Sequence, residues 1–320
     1  MTLRIGVLGA SRIAESAIVG PAQELGHRLV AVAARDPLRA QSFADKYGVE
    51  RVVASYQDLV TDPEVDVVYN PLANSLHAPW NLAAVAAGKP VLTEKPFARN
   101  RDEAARVAAA ADAGGVTVME GFHYLFHPIN HRALAVAGDG TIGDLTRIEV
   151  RMGMPEPHSD DPRWSLELAG GALMDLGCYA LHVMRQFGDP VVVTATAVER
   201  SAGVDERFDA ELVYPSGVTG LTTNSMVDDE YSFTLRLLGT RGEVFVHNFI
   251  KPPDDDRLTL RTADGTTVEH FGTRASYTFQ LEAFAAHVQD GTPLPLGTAD
   301  AVANMALIDE VYRAAGMAPR

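Results

Sequence analysis

The stretch "GVLGASRIA", residues 6–14, joins a short apolar run to a helical pattern. Its window Gly9, Ala10, Ser11, Arg12, Ile13, Ala14 fits the G-x-G-x-x-G/A dinucleotide fingerprint, except that serine replaces the middle glycine. A tight turn packed under a helix gives a similar pattern. The position after the first strand and before the first helix favours a turn whose N–H groups meet a pyrophosphate. We therefore expect residues 9–13 to bind a dinucleotide.

Strand and helix patterns alternate from this turn to about residue 122. Apolar runs are found in "LVAVAA" (29–34), "VDVVYN" (65–70), "PVLT" (90–93) and "VTVMEG" (116–121). Helical patterns separate these runs, and Asp36 and Asn100 stand where N-caps are expected. Alternation of this kind indicates a parallel sheet covered on both faces. The prediction is an α/β, doubly wound Rossmann domain over residues 1–122.

The pattern changes after residue 122. Hairpin signals occur at "PSG" (215–217), "TRG" (240–242) and "DG" (264–265), between runs such as "VTATAVER" and "FTLRLL". Helical patterns lie near 126–137, 172–187, 277–290 and 299–315. We expect residues 123–320 to form an α+β domain for substrate binding and oligomerisation, with a large, mostly antiparallel sheet open on one face.

Composition narrows the class of partner. The 320 residues carry a formal charge of −15, which should repel nucleic acid and acidic membranes. One cysteine, Cys178, excludes an intrachain disulfide. No apolar run approaches the ~18 residues of a membrane helix, and the N-terminus lacks signal-peptide features. These features predict a cytoplasmic protein with a small-molecule substrate.

Selectivity between the two nicotinamide dinucleotides is indicated at the end of the second strand. NAD-preferring folds usually place an acid there for the ribose hydroxyls. Here Ala34 is followed by Arg35, whose guanidinium can pair with a 2′-phosphate, and Arg39 lies one helical turn on. Asp36 is either a helix cap or a ribose ligand, and the second reading would favour NAD. The sequence predicts a preference for NADP(H) over NAD(H).

Two further stretches carry groups suited to chemistry. In "VLTEKPFARN" (91–100), Glu94, Lys95 and Pro96 follow a strand at the sheet edge where such folds bind ligands. In "GGALMDLGCYALHVMRQFG" (170–188), Asp175, Tyr179 and His182 fall at i, i+4 and i+7 on one helical stripe.

A tyrosine on such a stripe can exchange a proton with a carbonyl or alcohol. Lys95 can lower the pKa of Tyr179 by charge proximity, and Asp175 can orient a neighbouring group. A metal site built from Asp175, His182 and His123 is the alternative. The spacing lacks a zincin motif and no cysteine pair is present, so we predict no metal.

Over essentially its whole length the chain resembles the glucose–fructose oxidoreductase, inositol dehydrogenase and rhizopine-catabolism family. The marks are the turn at Gly6, Gly9 and Ala14, the E-K-P triplet at 94–96 and the G-G-x-x-x-D-x-G pattern at 170–177. Tyr179 replaces a common histidine and implies the branch that contains dihydrodiol dehydrogenases, NADP-linked xylose dehydrogenases and sugar 3-ketoreductases. "YNPLANSLHAPW" (69–80) and "MEGFHYLFHP" (119–128) are similar to that branch too.

The resemblance implies roles for individual residues. Lys95 would lie beside the nicotinamide and the substrate hydroxyl, with a cis Lys95–Pro96 peptide. Tyr179 would be the acid/base. The cofactor would also contact Pro71, Leu72, Asn74, His77 and Glu94, and the substrate would contact Phe122, His123, Tyr124, Arg163 and Trp164. His77 and His127 could equally serve in capping or packing.

Two functions fit these features. The first is an NADP-dependent oxidoreductase that moves hydride to or from a carbon of a sugar, sugar derivative or cyclic diol or polyol. The second is a non-catalytic NADP-binding sensor or corepressor of the same fold. Retention of both Lys95 and Tyr179 favours the enzyme. The uncovered sheet face and the resemblance together predict a homodimer or a dimer of dimers.

Overall fold

A computed structural model describes residues 2–320, which divide into two compact units. The first contains the chain up to Phe122 together with Tyr277–Ala303. The second contains His123–Ser276 and Asn304–Arg320. The predicted boundary at residue 122 is therefore one of three places where the chain passes between units.

The first unit contains a parallel sheet of five short strands. These are β1 (Arg4–Leu8), β2 (Arg28–Ala33), β3 (Val67–Asn70), β4 (Val91–Thr93) and β5 (Val118–Glu120), in the order β2-β1-β3-β4-β5. A single parallel bridge between Val32 and Val52 adds the rudiment of another strand beyond β2. If this rudiment is counted, the order is 3-2-1-4-5-6, that of a doubly wound dinucleotide-binding sheet.

Helices separate these strands. They are α1 (Gly20–Leu25), preceded by a π-helical turn at Glu15–Val19, α2 (Pro37–Tyr47), α3 (Tyr56–Thr61), α4 (His77–Ala86) and α5 (Arg101–Gly114). The predicted caps are confirmed: Asp36 accepts a hydrogen bond from the Leu38 N–H, and Asn100 accepts one from Glu103. Parallel strands alternate with helices, as the sequence predicts for this domain.

Tyr277–Ala303 groups with the first unit, whereas the sequence prediction places residues 123–320 in a single second domain. This segment holds α8 (Ser276–Asp290) and the beginning of α9 (Thr298–Ala314). The Thr278 hydroxyl donates to Glu24 at 3.0 Å, and His287 is 2.8 Å from the Thr117 hydroxyl. These long-range contacts attach α8 to the first unit. The local helical pattern of α8 in the sequence does not predict them.

The second unit is built on a sheet of eight strands. They are β6 (Leu145–Pro155), β7 (Val191–Ser201), β8 (Val204–Val213), β9 (Thr219–Asp228), β10 (Ser232–Gly239), β11 (Gly242–Val246), β12 (Arg257–Thr262) and β13 (Gly265–His270). Their order is β13-β12-β11-β10-β6-β9-β8-β7. β6 and β9 are parallel and every other pair is antiparallel, which confirms the predicted sheet.

One face of this sheet is apolar and buried. Along β6, Ile148, Val150 and Met152 are buried, while the alternate residues Arg147 and Arg151 are half-buried and exposed, respectively. Helices α6 (Pro128–Gly138) and α7 (Cys178–Arg185) pack on the sheet. Within residues 2–320 no helix is both long and apolar enough to cross a membrane.

Candidate active site

The first strand-to-helix turn is shaped by Gly9. Its φ is +84°, its N–H donates to the Ala33 carbonyl at 2.6 Å, and a Cβ there would lie 2.9 Å from Leu72 Cδ2. Arg39 donates to the Ala10 carbonyl at 3.1 Å and so braces the turn. The Ser11 hydroxyl is buried without a hydrogen-bond partner. A tight turn with an unsatisfied donor fits the oxygen of a phosphate.

Arg35 and Asp36, which follow β2, have different surroundings in the structure. Asp36 caps α2 through its Oδ1, 2.9 Å from the Leu38 N–H. Arg35 is exposed, and no other side chain among residues 2–320 pairs with its guanidinium. The cap reading of Asp36 is thus confirmed. The exposed Arg35 guanidinium is therefore available to pair with an anion at this edge of the sheet.

The Glu94–Pro96 triplet follows β4 directly. The buried carboxylate of Glu94 accepts a 2.9 Å hydrogen bond from the Tyr69 hydroxyl, and burial raises the pKa of Tyr69 well above its usual value. The Lys95–Pro96 peptide is cis, as expected. The Glu94 N–H donates to the Asn70 carbonyl at 2.9 Å, which joins the ends of β3 and β4. Lys95 is half-buried at this junction.

His77 ties the loop after β3 to this triplet. Its Nδ1 lies 2.6 Å from the Pro96 carbonyl and its Nε2 lies 2.8 Å from the Leu72 carbonyl. Burial lowers the pKa of His77 to about 4 despite these two carbonyls. A neutral imidazole donates to only one of them. His77 therefore braces the loop at the beginning of α4, which agrees with the packing role, and its contact with the cofactor stays a prediction.

In the second unit, four aromatic and imidazole side chains form one buried cluster. The Tyr179 ring makes edge contacts with His123 at 5.8 Å and with Tyr124 at 6.0 Å. The Tyr124 hydroxyl lies 2.7 Å from His182 Nδ1, and His123 Nδ1 lies 2.7 Å from the Ser276 hydroxyl. The structure thus brings Tyr179 and His182, predicted as catalytic, together with two predicted substrate residues.

Asp175 and Arg163, expected in different roles, form an ion pair. Arg163 Nε donates to Asp175 Oδ2 at 2.7 Å, and Asp175 raises the pKa of the guanidinium. Arg163 also pairs with Asp161 at 3.2 Å. Trp164 donates to the Pro157 carbonyl, and the Arg200 guanidinium stacks over its ring at 4.3 Å. The Arg163–Asp175 pair fastens the loop to the helix that carries Tyr179, and the stacking of Arg200 on Trp164 holds the loop against β7.

That helix is not uniformly α-helical, as the i, i+4, i+7 spacing had assumed. Residues Leu173–Gly177 form a π-helical turn, and α7 continues from Cys178. π-Helical turns often occur at functional sites. A Cβ on Gly177 would lie 2.5 Å from Phe208 Cε1 and 2.7 Å from Leu173 Cδ1. Glycine at 177 therefore allows the helix to approach β8 closely.

His127 lies at the beginning of α6. His127 accepts a hydrogen bond from the Ile129 N–H at 3.3 Å, so it caps α6. Burial lowers its pKa to about 4. Among residues 2–320, no three His, Cys, Asp or Glu side chains form a group that could hold a metal ion. Phe122 is fully buried at the end of the first unit.

Sequence reasoning missed a second set of residues around this helix. Asp205 and Phe208 on β8, together with Tyr312 and Arg320, contact its beginning or one another. Asp205 and Arg320 are 115 residues apart, and neither lies in a motif. The one available signal is a buried acid within a strand, and it can be recognised only when burial is known.

The fold, the first turn and the tyrosine-bearing helix define a class of nicotinamide-linked oxidoreductases. Residues 3–122 match the oxidoreductase family with an NAD-binding Rossmann fold, GFO/IDH/MocA. Residues 131–245 match the C-terminal domain of the same family. The chain therefore belongs to the GFO/IDH/MocA oxidoreductase family, as its motifs predict.

Particular relatives lie in the predicted branch. A D-xylose 1-dehydrogenase (NADP(+)) of Haloferax volcanii is 35% identical over 98% of this chain and 97% of its own length. A trans-1,2-dihydrobenzene-1,2-diol dehydrogenase of Mus musculus is 34% identical over 79% of this chain and 77% of its own. The 3-ketoreductase KijD10 of Actinomadura kijaniata, crystallised with NADP and TDP-benzene, has a TM-score of 0.91 at 28% identity, with 98% of each chain covered.

Proposed function

We propose that this protein is an NADP-dependent oxidoreductase that interconverts a secondary alcohol and a ketone, or a lactol and a lactone, on a sugar, sugar derivative or cyclic diol. The observation that carries the proposal is the Tyr179 cluster, in which a tyrosine lies against His123 and against Tyr124, itself bonded to His182. The three relatives described above act, by name, on a sugar or diol or are ketoreductases.

The proposed division of labour follows from the chemistry of the side chains. In the oxidation direction, Tyr179 takes the hydroxyl proton as the carbon–hydrogen bond breaks and a carbonyl forms. In reduction it returns that proton. Lys95 stabilises negative charge on the reacting oxygen. The bound nicotinamide would accept or supply the hydride. Asp175, paired with Arg163, keeps the helix and its preceding loop in register.

The preference for NADP(H) is supported by the end of β2. Asp36 is engaged as a helix cap, and the exposed Arg35 guanidinium follows Ala34 at the position where an acid would favour NAD. Gly9, Ala10, Ser11, Arg12 and Ile13 would hold the pyrophosphate, and the named relatives include an NADP(+)-dependent enzyme. Arg39, which braces the turn, would act through Ala10.

An NADP-coupled screen tests the function. Purified protein is mixed with NADP+ and aldoses, cyclic diols or nucleotide sugars, and with NADPH and keto-sugars, and NADPH absorbance is followed. We expect turnover with at least one sugar or diol. Tight NADPH binding without turnover on any of them would favour the sensor function instead. The carbon that reacts is then identified from the product.

We also infer that the subunits associate through the open faces of their eight-stranded sheets, as a homodimer or a dimer of dimers. Val191, Val193 and Val198 on β7 are each more than half exposed. Val198 and Thr196 border a cavity of about 400 Å³ with Arg151 and Asp209. A second copy covering this face would bury these valines.

A further inference from the structure

A buried carboxylate lies beneath the beginning of the helix that carries Tyr179. Asp205, on β8, is fully buried, and its Oδ2 accepts a 2.6 Å hydrogen bond from the Leu173 N–H. Its Oδ1 accepts hydrogen bonds from Arg320 Nη2 at 2.5 Å and from the Tyr312 hydroxyl at 3.2 Å. The Leu173 N–H is one that a helix leaves without a partner in its first turn. Asp205 therefore anchors the beginning of the helix directly.

Arg320 binds the chain just before the helix, at Gly170. Its side chain is 1% exposed, its Nε donates to the Gly170 carbonyl at 3.1 Å, and its guanidinium stacks on Tyr312 at 4.2 Å. Gly171, between the two anchored residues, has a φ of +123°, and a Cβ there would lie 2.8 Å from Arg320 Nη2. The paired glycines thus let the chain pass against the ion pair.

We propose that Asp205, Arg320 and Tyr312 form a clasp that positions Tyr179 for proton transfer. The three residues fix Gly170 and Leu173 on either side of the turn, and the helix runs from there through the π-helical turn to Tyr179. They are positioning residues, which act on the reaction through the helix. This inference rests on the proposed function only in its link to turnover.

The arrangement suits precise positioning. Burial disfavours the charged form of Asp205 and raises its pKa, so the ionised carboxylate depends on its three donors. Two of these donors come from a distant segment, at Tyr312 and Arg320. A displacement of about 1 Å at a reacting group can lower turnover by about a hundredfold. Loosening the clasp should therefore appear in turnover before the fold is lost.

The test compares Asp205→Asn with Glu269→Gln. Glu269 forms the Arg132 ion pair in the same unit, away from the helix. Hydrogen exchange of the peptide spanning 170–179 is measured without substrate, and kcat, KM, the pH profile of kcat and NADPH affinity are measured with folded protein. For Asp205→Asn we expect exchange at the beginning of the helix to be tenfold or more faster. We also expect kcat to fall by about tenfold to a hundredfold and the pH at which kcat declines to shift. NADPH affinity should stay within twofold of wild type.

For Glu269→Gln we expect none of these changes. If Asp205→Asn keeps normal exchange over 170–179 and a kcat within twofold, the clasp is overturned. If Asp205→Asn does not fold, Tyr312→Phe removes one donor more gently, and unchanged exchange and kcat there overturn it equally. If the wild-type protein shows no turnover, the proposed function fails, and the exchange comparison still decides whether the clasp holds the helix.

Discussion

Replacement of Gly177 by alanine tests how closely the helix that carries Tyr179 must approach β8. A Cβ at this position would lie 2.5 Å from Phe208 Cε1 and 2.7 Å from Leu173 Cδ1, whereas an ordinary contact begins near 3.4 Å. Phe208 is buried and cannot turn away into solvent. The helix, the ring or both must therefore move by about 1 Å, and Tyr179, two residues on, moves with the helix.

Two opposing effects determine how much stability Gly177→Ala loses. Alanine is favoured over glycine in a helix by up to about 1 kcal/mol. Overpacking a core commonly costs about 1–3 kcal/mol, and this contact is close enough to place the cost near the upper end. We expect the free energy of unfolding to fall by about 1–2 kcal/mol. Turnover should fall more steeply, by roughly a hundredfold, because the shift is transmitted to Tyr179.

Urea unfolding and steady-state kinetics measure the two effects, with Phe208→Leu and the double variant completing a cycle. The smaller leucine should relieve the clash, so the double variant should recover at least about 1 kcal/mol relative to the sum of the single changes. Unchanged stability and turnover in Gly177→Ala would show that the helix does not need glycine at this position. Additive effects in the cycle would show that Phe208 is not the residue in the way.

Three further predictions concern cofactor, pH and assembly. Wild type should bind NADPH at least about tenfold more tightly than NADH by fluorescence titration, or about 1.4 kcal/mol, and Arg35→Ala should remove most of this difference; equal affinities in wild type would contradict it. The pKa of His77 is lowered to about 4, below the ~6.5 of an unfolded chain, so the folded state resists protonation of this imidazole. The contribution of neutral His77 to the free energy of unfolding is therefore present above pH 6.5 and is lost as pH falls towards 4. Urea unfolding should therefore show an acid loss of up to about 3 kcal/mol that is smaller in His77→Asn, and an equal loss in both would exclude His77 as its source. Sedimentation equilibrium at low micromolar concentration should give a multiple of the 34.3 kDa chain mass, and a single species at that mass would contradict the dimer.

Local patterns were sufficient for much of the first unit. Each of the five strands has an apolar run bounded by turn residues, and the caps Asp36 and Asn100 precede helical patterns, so no distant contact was needed to place them. The sequence did not predict the rudimentary strand at Val52, because a single bridge leaves no periodic apolar pattern. The "DG" turn at 264–265 was recognised, but the two strands that it joins were not.

In the candidate site, the sequence indicated the neighbours that lie on one helix but not those that come from distant segments. Tyr179 and His182 are close in sequence on one helix, so their spacing alone brought them together. The partner of Asp175 could not be found in this way, because Arg163 lies on a loop whose path depends on other contacts. Asp205 and Arg320 are separated by 115 residues, and their pairing arises only when β8 and the end of the chain pack beneath the same helix.

The Tyr179→Phe variant separates the proposed proton transfer from the packing of the ring. Phenylalanine keeps the ring that packs against His123 and Tyr124 and removes only the hydroxyl proposed as acid/base. With the best substrate from the screen, we predict that kcat falls by about a hundredfold or more, while melting temperature and NADPH affinity change little. Near-normal turnover in Tyr179→Phe would contradict the account and would assign the proton transfer to His182 or Asp175 instead.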